Sequence, residues 1–235
     1  MDNRNYAFYH VPDKEAVVIN CANDFELALI LKKKQENRRF VVRMIDNIIE
    51  EKSSVLANKA EGKSICMVGH SQLDQWADTE IEGYKVRNCG ISGISSFEYD
   101  EKILSKNKLN CSADVFLVMH GTNDIVWDYT IDEIILSIKK TIDYIKERNS
   151  SVPIIFLSCL HVNGRIDRNN LKIDAMNAAL KKILEDSVIW IDTTFMDDKY
   201  GNLDEAYTKD GLHITDAGYK VLKNEIERTM RGIGL

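Results

Sequence analysis

The sequence predicts an α/β protein: a three-layer α/β/α sandwich of flavodoxin-like form, with a five-stranded parallel sheet and a mainly helical N-terminal extension. Short apolar runs alternate with amphipathic segments at helical spacing, which implies a parallel sheet covered by helices on both sides. The runs are continuously apolar, as strands buried on both faces must be. The chain has 235 residues, 44% hydrophobic and 29% charged, which suits one α/β domain with an extension.

Residues 1–62 read as the extension and 63–235 as the main domain. In the extension, Ala16–Asn20 (AVVIN) reads as a strand, and Asn23 as the cap of a helix carrying Phe25, Leu27 and Leu31. Val41, Ile45, Ile48, Ile49 and Leu56 then form one apolar stripe. The polar stretch Lys32–Arg39 between them either continues the helix or breaks it. The extension is read as packing on the main domain or on a partner, which leaves a homo-oligomer open.

In the main domain the predicted strands are Ser64–Gly69, Tyr84–Cys89, Asp114–His120, Pro153–Cys159 and Val188–Asp192. Thr130 and Glu133 make a capping-box pattern ahead of a helix whose buried face is Ile131, Ile134, Ile135, Ile138, Ile142 and Ile145. Asn169–Glu185 and Asp216–Met230 are two more helices, the last with Tyr219, Leu222, Ile226 and Met230 on one face.

Charge and composition exclude several classes. A net charge of −6 lacks the basic footprint of nucleic-acid binding. No apolar run approaches the ~18 residues of a membrane span. The opening MDNRNYAFYHVPDKE has no apolar centre like that of a secretory leader. Five cysteines without Cys-x-x-Cys spacing fit neither a disulfide framework nor a zinc site, and a reducing cytoplasm is the expected location.

Ligands of open α/β sheets bind beyond the carboxyl ends of the strands, and four such places carry unusual residues. They are Gly69-His70-Ser71, Asn88-Cys89-Gly90-Ile91-Ser92-Gly93, Gly121-Thr122-Asn123-Asp124 and Asp210-Gly211-Leu212-His213. Each alone is ordinary turn chemistry; their convergence on one sheet edge is not. A serine hydroxyl needs a base to take its proton, and a histidine ordinarily exchanges protons near neutral pH. Ser71 is therefore read as the nucleophile, His213 as the base, and Asp210 as the group that fixes the histidine tautomer. The backbone N–H groups of Ser71 and Gly90 and the Asn123 amide are read as oxyanion donors, aimed where charge develops on an ester carbonyl. Gly90 suits that position because a missing Cβ admits close approach. The Gly-x-Ser-x-Gly elbow of α/β-hydrolases is absent, since residue 73 is leucine.

These blocks resemble those of the SGNH hydrolases, also called GDSL-type esterases: Ser71 in GHSQL, Gly90 in NCGISG, Asn123 in GTND and His213 in DGLH, in the family's order. The resemblance spans residues 64–220, and GTND with DGLHITDAGY is its most specific text. It implies a flavodoxin-like fold, a Ser-His-Asp triad, a three-donor oxyanion hole and no cofactor. The first block departs from the family's usual Gly-Asp-Ser by carrying His70, read either as bonding its local loop or as positioning a substrate anion. Trp127, His161, Asn163 and Arg165 are further candidates for contact with substrate, each against a plain structural reading. No acidic cluster has the spacing of a calcium or zinc site, so no metal is expected.

Three functions follow as expectations. The first is a serine esterase removing a short acyl group, acetyl by family resemblance, from a carbohydrate or small metabolite through an acyl-Ser71 intermediate. The second is an O-acyltransferase using the same site with an alcohol as acceptor. The third is a non-catalytic binding module with a degenerate site, for which His70 is the motive.

Overall fold

The computed structural model describes residues 22–59, 62–127 and 129–235; the strand expected at 16–20 and His10 lie outside them. In chain order the elements are α1 (Ala22–Glu51), α2 (Ser53–Ala57), β1 (Ser64–Gly69), α3 (Ser71–Asp74), β2 (Glu80–Ile81), β3 (Tyr84–Asn88), α4 (Ser96–Tyr99, running into a π turn Asp100–Leu104), β4 (Val115–Met119), α5 (Ile131–Arg148), β5 (Ile154–Leu157), α6 (Asn170–Leu184), β6 (Ile189–Ile191) and α7 (Asp216–Gly232).

Among the described residues the sheet has six strands in the order β2-β3-β1-β4-β5-β6, one more than the sequence predicts for the main domain. The five expected strands are mutually parallel. The sixth, β2, is a two-residue edge strand antiparallel to β3. It is joined to β3 by Glu82 and Gly83, with φ of +45° and +76°, the left-handed pair that tight hairpins require. A strand of two residues is too short to leave a periodic signal.

Without β2, the parallel strands run in the flavodoxin-like order, which places the topological switch point between β1 and β4. The ends of these strands are level, Gly69 opposite Met119. The chain stretches leaving them, with Ser71 on one and Asn123 on the other, therefore start side by side.

Helix formation follows the patterns expected. The capping box of α5 is formed, with Thr130 N–H and hydroxyl both donating to Glu133 at 2.8 Å. Ile134, Ile138, Ile142 and Ile145 are buried beneath it. Lys32–Arg39 continues the first helix, so α1 is one helix rather than two, consistent with a stretch free of glycine and proline. The chain divides into two compact units between Met44 and Ile45. Residues 45–59 thus go with the sheet, because Ile45, Ile49 and Leu56 are buried and the Leu56 carbonyl accepts the Asn110 N–H at 2.9 Å. In the other unit, the helix exposes Phe25, Leu29, Ile30 and Phe40.

Candidate active site

The turn that carries Ser71 is built by close packing. A Cβ on Gly69 would lie 2.1 Å from the Met119 carbonyl oxygen, so only glycine lets β1 end against β4. His70 then caps α3, its Nδ1 accepting the Gln72 N–H at 3.5 Å. Burial first, and then the charges of His120, Arg168 and His213, hold the His70 ring well below the usual histidine range. A neutral ring with an unprotonated Nδ1 is the form that accepts this bond. Of the two readings of His70, the structure carries the local loop bond. Ser71 opens α3 and is buried.

The loop before α7 brings Asp210 and His213 together. Asp210 Oδ2 meets His213 Nδ1 at 2.8 Å. Its other oxygen accepts the backbone N–H groups of Leu212 and His213 at 3.0 and 2.8 Å. Partial burial raises the Asp210 pKa, but these bonds outweigh it and bring the carboxyl down to about 2. Asp210 is thus held as an anion near neutral pH, with one oxygen against His213 Nδ1.

Ser71 and His213 are not hydrogen-bonded to each other, but their carriers are strapped together. Gln72, buried next to Ser71, donates Nε2 to the Leu212 carbonyl at 2.8 Å, inside the Asp210–His213 loop. Tyr219 of α7 donates its hydroxyl to the Gln72 carbonyl at 2.9 Å.

Two more loops approach from β3 and β4. Asn123 Nδ2 donates to the Ile94 carbonyl at 2.9 Å, and Asp124 accepts the Ser96 N–H and hydroxyl at 2.9 and 2.5 Å. Burial first raises the Asp124 pKa, against these bonds, to about 6. Lys52 pairs with Asp74 and donates to the Gly90 carbonyl at 2.8 Å, while Ser92 donates its hydroxyl to Asp74 at 2.5 Å.

Gly90 differs from its expected role. Its N–H already donates to Asn88 Oδ1 at 3.0 Å, and a Cβ there would lie 2.6 Å from the Asp74 nitrogen. The glycine is required for packing, with its donor spent. Gly93, three residues on, has φ +81°, is half-buried, and its N–H is unpaired among the described residues. Sequence reasoning missed it because a positive φ leaves no mark beyond the glycine itself.

The remaining candidates divide. His161 is buried with both ring nitrogens taken, by Asp197 at 2.8 Å and Asp174 at 2.9 Å, which leaves none for a substrate. Asn163 donates Nδ2 to the Leu203 carbonyl and its N–H to the Gly211 carbonyl, both at 2.9 Å, so it braces the Asp210–His213 loop. Arg165 flanks Gly211 and pairs through Nε and Nη2 with Asp167 at 3.0 and 3.1 Å. Trp127 is half-buried at the end of the turn that carries Asn123.

The His161 bridge has a pH consequence. Its bond to Asp197 first, against burial and with help from Asp174, raises the His161 pKa. A raised folded-state value means that the bridge stabilises fully below the unfolded-state value of ~6.5 and is lost as pH rises through the folded-state one. The melting-temperature gap between the native protein and His161→Asn is expected to shrink from pH 6 to pH 9. A gap constant over that range would contradict the bridge.

Among known proteins, residues 68–221 match the model of the GDSL-like Lipase/Acylhydrolase family. An N-acylneuraminate cytidylyltransferase of Escherichia coli O18:K1:H7 (strain RS218 / NMEC) is 35% identical over 229 residues, covering 96% of this chain and 54% of that protein. The chain thus spans about half the length of this relative. Among solved structures, a platelet activating factor candidate from Streptococcus pneumonia is 22% identical with a TM-score of 0.72, over 86% of this chain and 98% of that one. A GDSL-like lipase from Bacteroides thetaiotaomicron VPI-5482 is 21% identical with a TM-score of 0.62, over 80% and 97%. The family match takes in the Ser71 turn, the loops after β3 and β4 and the Asp210–His213 loop: the chain belongs to the GDSL-like lipase/acylhydrolase family of ester hydrolases.

Proposed function

We propose that this protein is a serine esterase that removes a short acyl group, acetyl in the first instance, from a hydroxyl of a sugar. The observation that carries the reading is the Asp210–His213 pair at 2.8 Å on a loop held to the nucleophile helix through Gln72. His213 Nε2 takes the Ser71 proton as Oγ attacks the carbonyl carbon. The tetrahedral oxyanion is met by the N–H of Ser71, the Asn123 amide and, in place of Gly90, the N–H of Gly93. Collapse breaks the bond to the sugar oxygen, which leaves with the proton from His213. Water activated by the same imidazole then releases the acid and restores Ser71.

The sugar is suggested by the 35% identical relative, whose name places an N-acylneuraminate among its substrates. An O-acetylated N-acylneuraminate is accordingly the proposed substrate class. The test is acetate release from O-acetyl N-acylneuraminate, from an acetylated neutral sugar and from p-nitrophenyl esters of increasing chain length. Preferred release from the acidic sugar, with activity falling as the chain lengthens, is the expected result. No hydrolysis of any of these esters would remove the esterase reading, and equal rates on both sugars would remove the acidic-sugar assignment.

A further inference from the structure

Arg168 lies in the loop between β5 and α6, a region of the site that neither the triad nor the oxyanion donors use. It is buried, which is rare for an arginine unless its donors are matched. Here Nε and Nη2 are matched on one turn, and Nη1 on Asp167. Nε donates to the carbonyl and hydroxyl oxygens of Thr122 at 3.0 and 3.1 Å. Nη2 donates to Asn123 Oδ1 at 3.1 Å, and Nη1 pairs with Asp167. The guanidinium thus grips both the backbone and the side chain of the turn that presents Asn123.

The Asn123 amide has two orientations that differ by exchanging O and N. In the one present, Oδ1 faces a donor of Arg168 and Nδ2 faces the Ile94 carbonyl at 2.9 Å. The flipped amide would set its N–H groups against the guanidinium and its oxygen against the Ile94 carbonyl, losing both bonds. One Nδ2 hydrogen is used by Ile94 and the other is left over. A cation at Oδ1 also draws electron density from the amide nitrogen, which makes that remaining N–H a stronger donor.

We propose that Arg168 is a positioning residue for oxyanion stabilisation: it locks the Asn123 amide with its free N–H toward the reacting carbonyl and strengthens that donor. The inference rests on the esterase reading above, and on Asn123 as an oxyanion donor.

The experiment is a double-mutant cycle on the full chain with p-nitrophenyl acetate, using Arg168→Met, Asn123→Ala and the pair. Loss of one oxyanion donor typically costs about 10²–10³ in kcat, which is the effect expected of Asn123→Ala. Arg168→Met is expected to lower kcat about 10–100-fold with KM within about twofold, because the contact acts in the transition state. In the Asn123→Ala background, Arg168→Met should add less than about a twofold further loss, since the residue it positions is gone. Arg168→Lys, which keeps the charge but loses the fork, should fall between, and carries the same cycle if Arg168→Met does not fold.

Losses that multiply in the double variant, a change confined to KM, or native kcat in Arg168→Lys would overturn the proposal. Native kcat in Asn123→Ala would also overturn it, while leaving the esterase reading standing. That reading falls if Ser71→Ala keeps its activity or if none of the esters is hydrolysed.

Discussion

Replacing Ser71 by alanine is expected to lower p-nitrophenyl acetate turnover by on the order of 10⁴–10⁶, the range seen when the nucleophile of a triad is removed. The loss should lie entirely in the chemistry. Ser71 is buried at the first turn of α3, and its side chain makes no hydrogen bond to a described residue, so alanine leaves no partner orphaned. Its backbone N–H, one of the three proposed oxyanion donors, survives the change. Residual catalysis by the oxyanion donors and binding is therefore expected, with an unaltered circular-dichroism spectrum and melting temperature. Labelling by a fluorophosphonate should disappear in parallel, because only an activated serine reacts. Turnover equal to the native protein, or labelling that persists, would remove Ser71 from the mechanism and revive the reading of a binding module.

Gly211→Ala is expected to act through geometry alone. Gly211 lies between Asp210 and His213 with φ +83°, and a Cβ there would stand 1.8 Å from the Asn163 carbonyl oxygen and 3.0 Å from its carbon. Both are backbone atoms that cannot swing aside. The left-handed backbone alone costs alanine about 1–2 kcal/mol, and relief of the clash must open the Asn163 N–H to Gly211 carbonyl bond of 2.9 Å. The loop then moves relative to Ser71. A displacement of about 1 Å at a catalytic group is enough to cost about 10² in rate. The expected outcome is a fall of that size or more in kcat/KM, with a lower denaturant midpoint. Native activity together with the lower midpoint would show that the loop position is not set at Gly211.

Much of this was legible before any coordinates. Strands β1, β4 and β5 are visible because burial on both sheet faces forces apolar runs, and β1 at Ser64–Gly69 keeps its predicted bounds, whereas β3 carries an exposed Lys85 and is buried only in part. The α5 capping box and its isoleucine stripe were visible because both are local, three or four residues apart. The Asp210–His213 contact was visible for the same reason: a separation of three residues on a tight loop brings the groups together whatever the rest of the chain does. Edge strand β2, made of two residues, carried no such signal.

The sequence by itself determined the layer architecture, the order of the chemical blocks along the chain and the Asp210–His213 pairing, since each depends on periodicity or short spacing. Only the tertiary structure decided which groups are already engaged. It committed His161 to two aspartates and the Gly90 N–H to Asn88, and left Gly93 open. It also joined Gln72 to Leu212 across 140 residues and Arg168 to Asn123 across 45. A donor's partner is fixed by distance and direction in space, and neither is encoded in the spacing of residues that lie on different strand ends.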